Sequence, residues 1–152
     1  MASDPLMTVD KFRELQNKLE GLKKARPHAM SEVSRLAELG DFSENVEYQM
    51  AKGRLRGINN SILKIEHQLN NAEIIAPQTQ KDVVQIGNTV IVKCNGKEKK
   101  YQILGSTETD PQKGIISYNS PIGAALIGKK INDTVNIQLA DKEVEYKIIK
   151  IE

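Results

Sequence analysis

The chain has no tryptophan, two phenylalanines, four tyrosines and a single cysteine among its 152 residues. Each shortage excludes something. With aromatics at 4%, a large aromatic-rich core is ruled out, and elongated or coiled-coil architecture gains weight. Cys94 stands alone, which leaves no intramolecular disulfide and no thiolate metal cluster. His28 and His67 are the only histidines and lack partners at ligand spacing, so both read as solvated helix residues. No apolar run reaches the roughly 18 residues of a membrane span, and no basic segment precedes an apolar one at the start. No membrane contact and a cytoplasmic location are therefore expected. Charge of one sign is not in excess either: 22 basic against 20 acidic residues leave a net +2. Bulk electrostatics alone then predict no strong duplex-DNA binding.

What is present is a heptad period. From Phe12 the series runs Leu15, Leu19, Leu22, Arg26, Ala29, Val33 and Leu36, in alternating steps of three and four. A second series runs Tyr48, Ala51, Leu55, Ile58, Ile62, Ile65, Leu69 and Ala72. Only Arg26 among these sixteen positions is charged, which is the pattern of a coiled-coil seam. The two series are also mirror images. Paired from the outside inward, every pair of numbers sums to 84, which centres the fold-back on Phe42. Two helices that fold onto each other require that relation. Gly40 follows Leu39 as a helix stop signal. Arms of about 30 residues would extend roughly 45 Å at 1.5 Å per residue. Pro27 removes one backbone hydrogen bond inside the first arm, and Gly53 and Gly57 weaken the second. The glycines read as local flexibility or close helix approach.

After Pro77 the period changes. Val83 to Lys93 has strand composition, and Asn95-Gly96 signals a hairpin turn into a strand from Lys99 to Leu104. Ile115 to Tyr118 reads as a short strand, and Ser120-Pro121 as the entry to a short helix ending near Gly128. Thr134 to Leu139 and Glu143 to Ile151 read as a closing antiparallel pair. The expected class is α+β: a long antiparallel coiled-coil hairpin over residues 1–76, then a small α+β domain over 77–152. The linker falls near 76–82.

Charge is distributed unevenly. Between Arg35 and Lys52 lie Glu38, Asp41, Glu44 and Glu47, with no Lys or Arg. Immediately beyond come Lys52, Arg54 and Arg56, and across the hairpin Lys23, Lys24 and Arg26. An acidic tip thus adjoins a basic shaft. Crowded carboxylates repel one another, and a divalent cation would relieve that repulsion. Asp41 and Glu44 offer oxygen donors of the kind magnesium selects. The same spacing also suits a capping box at a helix start, and both readings stand. The basic flank likewise reads two ways: solvated side chains paired with Glu, or contacts to a phosphate backbone.

Two stretches resemble a known family. Gly40-Asp41-Phe42-Ser43-Glu44-Asn45-Val46-Glu47-Tyr48 closely resembles the tip motif of the GreA/GreB family of bacterial transcript-cleavage factors. Ile116-Ser117-Tyr118-Asn119-Ser120-Pro121, continuing to Lys129, resembles that family's second signature, and Glu143 to Ile149 its closing strand. The resemblance covers nearly the whole chain. It implies that the second domain has an FKBP-like fold and docks at the rim of the RNA polymerase secondary channel, which the hairpin enters. It further implies that Asp41 and Glu44 help hold the polymerase's second magnesium ion during hydrolysis of a backtracked RNA 3′ end. The factor would have no nuclease activity alone. Lys52 stands where the family has Arg or Lys, and the basic face with Arg54 and Arg56 would steady the extruded RNA. Ser43 would help cap the second helix. The near-neutral charge favours GreA-like short-fragment cleavage, by a monomer.

Three other readings are weighed against this one. A channel-plugging inhibitor would carry an altered acidic tip. A prolyl isomerase needs an aromatic-lined pocket, yet both Phe residues lie in the hairpin, leaving Tyr101, Tyr118 and Tyr146 to the second domain. A plain tethering hairpin would explain the heptads but not the concentrated acids.

Overall fold

The computed structural model describes residues 4–39, 45–76 and 80–152. The chain divides into two compact units, one of residues 12–71 and one combining residues 1–11 with 72–152. The second unit is thus discontinuous in sequence, and its first segment lies well before the 76/77 division expected from the pattern.

The unit of residues 12–71 holds most of two helices, α1 (Val9–Ala37) and α2 (Val46–Asn70). At 1.5 Å per residue they extend roughly 43 and 37 Å. Every uncharged seam position is buried or half-buried, and Arg26, the one charged member, is exposed. Its guanidinium stays in water while the smaller seam residues close beside it. Charge interactions across the helices agree with that register. Glu32 is held below the ordinary carboxylate value by its hydrogen bond and charge interaction with Arg35, with a further contribution from Arg54. Arg35 is raised mainly by Glu32 and also by Glu47. The cross-helix pairs 32/54 and 35/47 straddle the 33/51 pair of the mirror register, so the helices run antiparallel. α1 continues through Pro27, which is exposed.

Close helix approach does not explain the glycines of α2. A Cβ at Gly53 or Gly57 would meet nothing within 4 Å. Both face open space, and their effect is the entropic cost of glycine in a helix. Gly53→Ala and Gly57→Ala should each stabilise the hairpin by about 0.5–1 kcal/mol. Urea titration followed by helical circular dichroism checks this; a loss of stability in either variant would mean a contact there after all.

The other unit is a five-stranded sheet in the order β5-β4-β3-β7-β6. β3 (Thr89–Cys94) and β4 (Lys97–Leu104) form the hairpin that Asn95-Gly96 announces, and both turn residues take positive φ (51° and 78°). β5 (Ile115–Ser117) lies parallel to β4, while β6 (Thr134–Leu139) and β7 (Lys142–Ile151) pair antiparallel. Helix α3 (Pro121–Leu126) packs by β5 and β6. The core is aliphatic: Val90, Val92, Ile103, Leu126, Ile137 and Ile148, with Tyr146 and Cys94 among them.

Two expectations need correction. Residues 83–88 are not strand, because Asn88 is fully buried and forms a local turn. Its side chain accepts from Gln85 N (2.8 Å) and donates to Glu152 O (3.1 Å), needs that a regular ladder would leave unmet. A pair of short strands, β1 (Leu6–Met7) and β2 (Glu73–Ile74), was also not foreseen. They run parallel, joining the beginning of the chain to the segment after α2.

Candidate functional site

The tip carboxylates proposed from sequence, Asp41 and Glu44, lie outside the described residues, as do Gly40, Phe42 and Ser43. The structure does settle how α2 begins. Its N-cap is Asn45, whose side chain accepts from Tyr48 N at 3.0 Å. Asn45 thus holds the N-cap position of α2, and the capping readings of Asp41, Ser43 and Glu44 fall outside the described residues. Asn45 satisfies a backbone donor that would otherwise be orphaned. Glu38 and Glu47, which complete the acidic set, are exposed, as are the apolar Leu39, Val46 and Met50 nearby.

Just beyond lies the basic flank. Lys52, Arg54 and Arg56 are all exposed on α2. Ion pairs within α1 include Lys24–Glu20 (3.2 Å) and Arg35–Glu32 (2.9 Å). Among the described residues, no ion pair involves Lys52, Arg54 or Arg56. The Lys52 ammonium instead stands over the Tyr48 ring, 5.2 Å from its centroid. That spacing of four residues puts the two side chains on one helical face.

A second polar cluster gathers around the other motif. Ser120 caps α3: its hydroxyl accepts from Gly123 N (3.1 Å) and donates to Ser117 O (2.6 Å). The buried Ser117 hydroxyl donates to the side-chain oxygen of Asn119 and lies 3.2 Å from the Ser106 hydroxyl. Asp4 joins from the start of the chain, accepting from Leu6 N and Ser106 N, each at 3.0 Å. Burial alone would raise the Asp4 pKa, but these N–H donors and the Ser106 and Tyr118 hydroxyls outweigh it and leave it lowered. Tyr118 is raised correspondingly, by burial and by the Asp4 charge. A few residues on, the Glu108 carboxylate accepts from Thr8 N (2.6 Å) and Thr8 Oγ1 (2.7 Å), while Thr8 Oγ1 accepts from Lys11 N (3.2 Å). Glu108 so anchors the residue that caps α1. These partners are about a hundred positions apart, and no local pattern in the sequence could have joined them.

The sign of the Asp4 shift sets a pH dependence. A lowered folded-state pKa contributes stability above the ordinary value of 3.8, which is lost as pH falls through the lowered one. Asp4→Asn should therefore flatten the acid limb of stability below the ordinary carboxylate value, relative to the parent chain. An unchanged acid limb in chemical denaturation would show that the charge is not held there.

Two long antiparallel helices with exposed cations on the second, and a separate five-stranded sheet unit with a polar cluster beside α3, define the class: a helical hairpin joined to a small α+β domain. No group of three potential metal ligands occurs among the described residues, and no helix there is long and apolar enough to cross a membrane. Family comparison makes the assignment specific. Residues 5–74 match the model described as transcription elongation factor, N-terminal, and residues 79–152 match transcription elongation factor, GreA/GreB, C-term. The chain belongs to the GreA/GreB family of transcription elongation factors. It is 42% identical over 149 residues to transcription elongation factor GreA of Staphylococcus epidermidis, covering 95% of this chain and 94% of that one. It is 35% identical over 148 residues to GreA of Nitratiruptor, covering 95% and 91%. Among solved structures, the GreA factor homolog 1 of Thermus thermophilus aligns at 22% identity and TM-score 0.43, covering 93% of this chain and 94% of that one.

Proposed function

We propose that this elongation factor rescues backtracked RNA polymerase by inserting its hairpin into the secondary channel and stimulating cleavage of the extruded RNA 3′ end. The observation that carries the reading is the pairing of Asp41 and Glu44, in an unbroken family motif, with a helix start already capped by Asn45. Magnesium takes few protein ligands and completes its octahedron with water and phosphate, so a two-carboxylate set fits a shared ion and not a closed cage. When bound between tip and polymerase, that ion would activate water and neutralise charge on the phosphodiester.

This chain's own part is to present the carboxylates at the end of a rigid coil and to steady RNA along Lys52, Arg54 and Arg56. Two carboxylates cannot by themselves hold both metals and the RNA, so the factor is inert without polymerase. The sheet unit docks at the channel rim, and the factor acts in the cytoplasm as a monomer. The isomerase reading is not favoured: two grooves among the described residues of the sheet unit are lined by residues such as Leu6, Ile75, Val83, Ile86 and Leu104, and neither lining includes an aromatic side chain.

Adding the protein to a stalled, backtracked elongation complex tests the reading. Short 3′ fragments and resumed synthesis are expected, with free RNA left intact in magnesium. Absence of fragments at saturating factor would overturn it.

A further inference from the structure

We propose that Tyr48 is a positioning residue for Lys52, holding its ammonium on the shaft with the charge unneutralised. The inference rests on reading the hairpin as an RNA-contacting element. Tyr48 occupies a seam position, half-buried between the two helices, and its N–H is fixed by the Asn45 side chain at 3.0 Å. Its ring is therefore a fixed platform. Lys52 projects one helical turn later and places its ammonium 5.2 Å from the ring centroid, within cation–π range.

The contrast with Arg35 carries the argument. Arg35 is held by the Glu32 carboxylate at 2.9 Å, which fixes the side chain but cancels its charge locally. Among the described residues, Lys52 enters no ion pair. A neutral ring restrains a flexible lysine without consuming its charge. That is what a cation needs if it is to meet a phosphate that arrives only when RNA is extruded. Glu47 is exposed one residue before Tyr48, so a free ammonium would otherwise be drawn toward a carboxylate.

The test is a double-mutant cycle in the backtracked polymerase complex, with Tyr48→Leu, Tyr48→Phe, Lys52→Met and the Leu/Met pair. Tyr48→Leu should lower the maximal cleavage rate about two- to fivefold, with the half-saturating factor concentration unchanged. Tyr48→Phe keeps the ring and should restore the parental rate. In the Lys52→Met background, Tyr48→Leu should cost nothing further. Thermal unfolding is followed alongside. If leucine softens the coil, Tyr48→Met fills the seam in its place and must show the same pattern. Equal losses in both Lys52 backgrounds, or a Phe variant as poor as Leu, would reduce Tyr48 to a packing residue and overturn the proposal. Failure of the parent chain to stimulate cleavage would instead sink the channel reading.

Discussion

Replacing Asp41 and Glu44 together by Asn and Gln should lower stimulated cleavage by at least about 100-fold while leaving polymerase binding within about twofold. The substitutions keep shape and hydrogen-bonding capacity and remove only charge. If the carboxylates hold a shared magnesium ion, raising the magnesium concentration should recover part of the lost rate, because the polymerase's remaining ligands bind the ion more weakly. Stability discriminates the rival explanation. Acids that capped α2 would, on neutralisation, weaken the hairpin by around 1 kcal/mol. Since Asn45 is the observed cap, the double variant should instead unfold at or slightly above the parental temperature, with less repulsion at the tip. Full cleavage by a folded, polymerase-bound double variant would refute the metal role.

The hairpin could be read from sequence because its determinants are periodic. Sixteen seam positions and one mirror relation fix both helices and their register, and the Glu32/Arg54 and Arg35/Glu47 proximities agree with it. The β3–β4 and β6–β7 hairpins and the Ser120-Pro121 helix entry were equally legible, since each depends on residues within a few positions. What escaped depends on distant partners. Strand composition suggested 83–88, but Asn88 turns the chain there through its local bond to Gln85 and a distant one to the carbonyl of Glu152. β1 and β2 are two residues each, too short for a pattern, and exist because they face each other. The Asp4–Ser106 and Thr8–Glu108 links likewise have no local signature. At the site, the motif resemblance pointed to Asp41 and Glu44, which lie outside the described residues, while the cap observed on α2 is Asn45, one of several Ser, Asn and Asp residues within a short span. The Tyr48–Lys52 contact was present as a four-residue spacing, but only coordinates distinguish a seam tyrosine that carries a cation from one that merely packs.

Gly123→Ala should destabilise the sheet unit by about 3 kcal/mol, the upper end for overpacking, and should disable the motif loop with it. Gly123 is buried in the first turn of α3, and a Cβ there would collide with the Ser117 carbonyl oxygen. Most overpacked side chains escape by changing rotamer, but a backbone carbonyl has no such freedom. This carbonyl also accepts the Ser120 hydroxyl, which in turn caps α3 through Gly123 N. Pushing the helix away therefore breaks the cap, unsettles Ser117 against Ser106 and Asn119, and loosens Leu126, which is fully buried in the core. Clash and lost hydrogen bonds act together, whereas at Gly53 a methyl group enters open space and the same substitution stabilises. The two variants thus form a controlled pair: identical chemistry, opposite sign, decided by what lies within 4 Å. Denaturant midpoints should move in opposite directions. A Gly123→Ala protein as stable as its parent would mean that α3 does not pack on Ser117 as described.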